Sequence, residues 1–350
     1  MIFQLPWFRL LARVIVWAVL LGGIARAQIA IHNDIQTHAT LSGSTVILSG
    51  KSELRITGTG DPIPGCTVSL NSPDAWFFMT EIAPSTVAST FLSRVRVNGA
   101  PAVLDSNVRV VQHGSGAVVI PHAPGFAPLT VYEGKSFTGI SRPLGQYTAY
   151  GSAQLGTLND AISSFKLKRG YTATLAQNAD GTGASRNYVA ADGDLEIGVL
   201  PGNLDNAVSF IRVFPWRWVT KKGTCDVSPT SLNASWNYNW NINSNSTLNW
   251  EYVAIKQQPF WPGLNQDWRA RGVNHLLGFN EPDNPVEDAY KNLTPVGSAA
   301  NAAARWPELL GTGLRVGAPA VTDGGYNWLR DFMIAANAAG HRVDYVPVHY

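Results

Sequence analysis

Hydrophobic and polar positions fall into three successive patterns along the chain. From residue 28 to 127 the apolar residues come in short β-prone runs: Thr45–Leu48, Glu53–Ile56, Cys66–Leu70, Ala75–Met79, Arg94–Val97, Val108–Val111 and Ala117–Ile120. Several alternate apolar with polar, as half-buried strands do, and Gly, Pro, Asn and Asp punctuate them. Their uneven spacing leaves a sandwich and an irregular β-solenoid both open. No chemistry shows here, so a structural or carbohydrate-facing module is the expectation. Pro121 to Pro128 reads as a linker.

From 128 to 213 the pattern repeats itself, which points to duplicated structure. Leu129–Tyr132, Phe137–Ser141 and Asn159–Leu167 in the first copy answer to Tyr171–Leu175, Gly183–Ser185 and Asp205–Val213 in the second. Each copy predicts four strands. Asn159-Asp160-Ala161-Ile162-Ser163-Ser164 and Asp205-Asn206-Ala207-Val208-Ser209-Phe210 are the matching hexads. This stretch resembles a βγ-crystallin domain, two Greek keys packed as a β-sandwich, whose calcium signature is Asn/Asp-Asn/Asp-x-x-Ser/Thr-Ser. The first hexad matches throughout; the second departs at Phe210. The resemblance implies calcium ligands among Asn159, Asp160, Ala161, Ser163, Asp205, Asn206, Ala207 and Ser209, since calcium takes hard oxygen donors. The alternative is that these residues only satisfy turn backbones.

From 214 onward, β-prone runs alternate with helical stretches. Strands are expected near Ser235–Trp240, Glu251–Ile255, His275–Asn280, Arg315–Pro319 and Val343–His349, and helices over Gly297–Leu310 and Asn327–Ala339. Alternation at this spacing predicts a parallel sheet, most simply a (β/α) barrel. Nine of the twelve Trp lie here, which favours an aromatic surface for sugar rings over core packing alone.

The chemistry centres on Leu276–Pro285. An apolar run leads through Gly278-Phe279 into Asn280-Glu281-Pro282, as a buried strand ending at a loop would. A carboxylate there sits where barrel enzymes keep their chemistry. Between apolar walls such a Glu keeps a proton for a leaving sugar oxygen. The competing reading is a carboxylate capping a helix that starts at Pro282.

The runs SWNYNW, EYVAIKQQPFWPG, HLLGFNEPD, AANAAARWPELL, LRVGAPAVTDGGYNWLRDF and VDYVPVHY resemble the catalytic domain of glycoside hydrolase family 128. That family consists of secreted retaining β-1,3-glucanases with a (β/α)8 barrel. The resemblance implies Glu281 as acid/base and Asn280 as the substrate-orienting amide. It also implies Trp236, Tyr238, Trp240, Trp261, His349 and Tyr350 as cleft residues, with a β-glucan as partner. The family's second Glu, the nucleophile, ends a seventh strand, and Tyr350 ends the sixth. Glu251 and Asp344 start strands at the opposite end, and Asp323 is off the pattern. The expectation is therefore an incomplete (β/α)8 barrel, inactive as written, with its nucleophile beyond the given chain. The alternatives are a non-catalytic, calcium-stabilised, lectin-like protein and a structural envelope protein.

Residues 1–27 read as a secretory signal: Arg9 and Arg13, an apolar core, then Ala25-Arg26-Ala27 for cleavage. Removing them takes the formal charge from +2 to about −1, which gives no reason to expect nucleic acid as a partner. After cleavage no membrane association is expected. Export permits a bridge between Cys66 and Cys225, though nothing in the sequence brings them together. No catalytic cofactor is expected.

Overall fold

The computed structural model describes residues 27–350 except 124, 147, 148 and 350. The expected signal segment, apart from Ala27, lies outside the described residues, as does Tyr350. Among the described residues no helix is long and apolar enough to cross a membrane. Cys66 and Cys225 are both free thiols. Contacts divide the chain into two units. One runs to Val111 and adds Gly116–Ala123, and the other comprises Gln112–Ser115 and Pro124–Tyr350.

The first unit is a solenoid. Gln28–His32, Thr45–Ser49, Thr67–Leu70 and Val95–Val97 stack in parallel in one sheet. Ile35–His38, Glu53–Ile56 and Trp76–Met79 stack in parallel in the other. Each coil gives one strand to each sheet. Alternation turns one apolar set inward, and stacking then lays like on like: Ile31, Leu48, Leu70 and Val97 form one ladder, and Leu54, Phe77 and Val119 another. All seven are buried, and burying a Leu or Val stabilises by about 1.5–3 kcal/mol. At one corner Asn33 Oδ1 accepts the Lys51 amide at 2.9 Å. The neighbouring Gly50 has φ +65, and a side chain there would collide with that Asn. Gly116–Pro121 continues the second sheet antiparallel to Trp76–Met79, with Val108–His113 at its edge.

In the second unit, residues 129–215 form two four-stranded sheets. Ser141–Leu144, Leu129–Tyr132, Ser164–Leu167 and Leu195–Ile197 make one; Ala149–Tyr150, Phe210–Pro215, Tyr171–Ala176 and Ser185–Ala190 make the other. Each sequence copy supplies three strands to one sheet and lends its third strand to the other. Leu129, Val131, Phe165, Leu175, Ile211 and Val213 fill the space between.

The rest of this unit carries parallel strands in chain order: Gly223–Cys225, Trp236–Tyr238, Glu251–Tyr252 with Ala254–Ile255, His275–Leu277 and Arg315–Val316. A parallel bridge from Gly317 to Tyr345 extends the order. The structure therefore shows a sequential parallel succession, not a closed barrel. The expected helix over Gly297–Leu310 is two helices, Ala299–Ala304 and Pro307–Leu310. Pro307 removes an amide and interrupts the run. Tyr326–Ala338 is one helix. Trp306 is fully buried, edge-on to Phe279 and Phe332, and its Nε1 donates to Arg342 O at 2.8 Å. It ties the helices to the strand that leads to Glu281.

The sandwich and the parallel strands share packing. Phe214 belongs to the core of the parallel region, Asn274 Nδ2 donates to Pro215 O and Arg212 donates to Thr312 O, both at 2.7 Å.

Candidate active site

The His275–Leu277 strand leads into Gly278, and the reason for glycine is contact. A Cβ there would lie 2.8 Å from Gly317 O and 2.9 Å from Ala318 O. That closeness lets Asn280 bridge to Ala320 and lets the Glu281 amide donate to Ala320 O at 2.7 Å. The Asn280 amide donates to Gln257 O at 2.9 Å. Both neighbouring strand ends therefore hold this segment.

Glu281 has φ +43, a backbone conformation that costs a non-glycine residue energy and marks functional positions. Trp240, another expected cleft residue, has φ +55. No helix starts at Pro282; the next one is Asp288–Lys291. The capping reading is thereby overturned. The expectation of apolar walls is corrected as well. Asn284 Nδ2 donates to Glu281 Oε2 at 2.8 Å, and His349 Nδ1 donates to Oε1 at 2.9 Å.

Trp236 and Tyr238 alternate along one strand, so their rings share a face, and Trp240 follows on the bend beyond it. Trp236 and Tyr238 are stacked at 6.5 Å, and Tyr238 meets Trp240 edge-on at 5.1 Å. With Asn280, Ala320 and His349 they line a cavity of about 80 Å³. Burial, with a bond to Cys225, pushes the Tyr238 phenol above its ordinary range, so it stays a neutral hydrogen-bonding group. Trp261 is not among the lining residues. It is 40% exposed, on a turn where Gln258 and Trp261 exchange backbone bonds and Pro262 O accepts from Lys256 Nζ at 2.9 Å.

A larger cavity of about 500 Å³ adjoins, sharing Trp236, Leu277, Pro347 and Val348. Its charged and imidazole-bearing lining residues are Lys221, Glu251, His275 and Arg315. His275 Nδ1 is 2.8 Å from Glu251 Oε1, and Arg315 is 3.1 Å from His275 Nε2. Burial pushes the Glu251 carboxyl up, but His275, Arg217 and Arg315 outweigh it and hold the group below its ordinary range. Asp344 pairs with Arg342 and accepts the Val316 amide at 2.7 Å. Both acids are structural, as their places at strand starts imply. Sequence reasoning missed Asp283, whose carboxylate accepts the Thr322 amide and hydroxyl.

In the sandwich the two hexads meet reciprocally. Ser163 Oγ donates to Asn206 Oδ1 at 3.2 Å, and Ser209 Oγ donates to Asp160 Oδ1 at 2.7 Å. Asp160 and Asn206 each have φ +55, which Asx residues tolerate. Among the described residues no three His, Cys, Asp or Glu gather as a metal cluster. The oxygens present nonetheless suit calcium. Asn159 Oδ1 and Asp205 Oδ1, at equivalent places, are buried without a hydrogen-bond partner, and a buried unmet acceptor is costly unless a donor or cation meets it. Ala161 and Ala207 can supply only backbone carbonyls.

Residues 214–350 match the family model described as the glycosyl hydrolase catalytic core. Among solved structures, a βγ-crystallin domain from Flavobacterium johnsoniae is 33% identical over 25% of this chain and 94% of its own, with a TM-score of 0.23. The N-terminal domain of protein S is 35% identical over 25% and 97%, with a TM-score of 0.23. A family-128 (subgroup I) endo-β-1,3-glucanase from Amycolatopsis mediterranei, in complex with laminaritriose, is 31% identical over 37% of this chain and 55% of its own, with a TM-score of 0.31. This chain thus spans about half of that enzyme. No curated protein matches the chain.

Proposed function

We propose, with the glycosyl hydrolase catalytic core at residues 214–350 as the premise, that this is a secreted glycoside hydrolase acting on β-1,3-glucan. Glu281 serves as general acid/base and Asn280 orients the substrate. The observation that carries the reading is Glu281 itself: a strained carboxylate at a strand end, held through both oxygens, beside a cavity walled by Trp236, Tyr238 and Trp240. The rings offer flat faces to a sugar, and the carboxyl delivers a proton to the glycosidic oxygen as its bond to the anomeric carbon breaks. The anomeric carbon is bonded in turn by a second carboxylate, the nucleophile that the resemblance to family 128 implies outside the given residues; in the return step Glu281 takes a proton from water as the water oxygen displaces that carboxylate from the anomeric carbon. The incomplete barrel and the glucan specificity rest on the sequence resemblance to family 128. The sandwich is an accessory stiffened by calcium.

A retaining mechanism requires a second carboxylate about 5–5.5 Å from the first. Among the described residues lining the cavity beside Asn280 there is none. The second reading is a lectin-like cleft, in which the wall of Trp236, Tyr238 and Trp240 binds glucan without cutting it.

The test is to measure laminari-oligosaccharide binding and release of reducing ends by the natural secreted protein and by its Glu281→Gln variant. Release that falls by about 10²–10⁴ in the variant, with binding kept, establishes the acid role. Release untouched by the substitution removes it. Binding without release selects the lectin-like reading, and loss of neither function in Trp240→Ala would sink the aromatic cleft.

A further inference from the structure

We infer that the two hexad loops of the sandwich are unequal: the Asn159 loop takes one calcium ion, while the Asp205 loop holds the Lys135 ammonium in its place. This rests on the calcium reading and goes beyond it in stoichiometry and in the residue that sets it.

The two loops are equally preformed. Each lends a serine hydroxyl to the other's second residue, Ser163 to Asn206 and Ser209 to Asp160. The Asp160 amide donates to Val208 O at 3.1 Å and the Asn206 amide to Ile162 O at 3.0 Å, so the backbones mirror each other. Phe210 in place of Ser164 looks like the difference, but the Ser164 hydroxyl is committed elsewhere. It donates to Gly134 O at 2.6 Å and accepts the Phe137 amide at 3.0 Å, bracing a hairpin. The sixth hexad position is therefore a brace in this chain, and losing its hydroxyl removes no loop oxygen.

The difference lies across from the loops. Lys135 Nζ is 3.0 Å from Asp205 Oδ2. The equivalent residue in the other copy follows from backbone pairing. Gly134 N donates to Thr138 O at 2.8 Å, and Asn178 N repeats this toward Thr182 O at 3.1 Å. Lys135 follows Gly134, so its counterpart is Ala179, a methyl group. Asp160 accepts from neutral partners, Ser209 and the Asn159 amide. A divalent cation entering the Asp205 loop must displace an ammonium from the carboxylate it needs. At the Asn159 loop the equivalent position brings no charge.

The experiment is equilibrium dialysis of the full chain against calcium chloride, beside Lys135→Met and Asp160→Ala. Lys135 is 57% exposed, so the Met variant keeps the fold, and Lys135→Gln serves as a second probe. The expected counts are one ion for the wild type, two for either lysine variant and none for Asp160→Ala. Two ions in the wild type, or one in both lysine variants, overturns the inference. No ion in the wild type or the lysine variants removes the calcium reading itself, and this inference with it.

Discussion

Asp283 Oδ1 accepts the Thr322 amide at 3.1 Å, and its other oxygen accepts the Thr322 hydroxyl. The contact joins the loop after His275–Leu277 to the loop after Arg315–Val316, two residues beyond Glu281. Asp283→Ala leaves both Thr322 donors unmet, which should cost about 1–3 kcal/mol. Sugar binding should weaken along with it, because the same two loops frame the cavity. Asp283→Asn should lose less. Denaturant melts and oligosaccharide titrations check this; unchanged values in Asp283→Ala would show that the tie does not hold the site.

Gly278→Ala should destabilise by about 1–3 kcal/mol, the usual cost of overpacking. The new methyl meets the backbone of Gly317 and Ala318, which cannot swing aside as a side chain would. Separation of those strand ends also moves Ala320, and with it the carbonyl that fixes the Glu281 amide. A midpoint equal to the wild type's would contradict the close approach.

Glu251 gives a pH dependence of definite sign. Burial raises its carboxyl, but His275, Arg217 and Arg315 prevail and the folded value lies below the unfolded one. Its stabilisation is therefore complete above the unfolded carboxylate value, about 4.3. It is lost as pH falls through the folded value. Glu251→Gln should cost about 3–5 kcal/mol at pH 7 by stranding His275 and the arginines. That gap should narrow on acidification below about pH 4. Parallel Tm curves for the two proteins from pH 7 to pH 3 would refute the assignment.

Calcium should raise the Tm of the sandwich and a chelator should reverse it, because the ion binds the folded loops. At a hundredfold excess over Kd the gain is about 2.7 kcal/mol. Asp160→Ala should abolish the shift. A melt indifferent to calcium in the wild type would exclude the ion.

Strand positions and the duplication were legible because apolar alternation is a local signal, and most expected runs coincide with strands. The solenoid was not distinguishable from a sandwich, since Thr45 pairs with Thr67 and Val68 with Val95, so successive coils take 22 and 27 residues. Coils of unequal length leave no period to read. Gln28–His32 and Ile35–His38 escaped notice because between them only Ile31 is buried. At the site, Glu281 and its aromatic wall were readable from their motifs. The partners that hold them were not. Thr322 is 39 positions from Asp283, and His349 is 68 from Glu281. Such pairings exist only once the strand ends are side by side. Lys135 stayed hidden for the same reason, since nothing near it in sequence names Asp205.

Each sheet of the sandwich borrows one strand, Leu195–Ile197 or Ala149–Tyr150, from the opposite copy. A single copy cut loose would carry three strands, an uncovered edge and a detached arm. The sandwich is thus a swapped dimer sealed into one polypeptide. A backbone nick near Gly170 should leave two pieces that stay joined in native buffer and come apart only in denaturant.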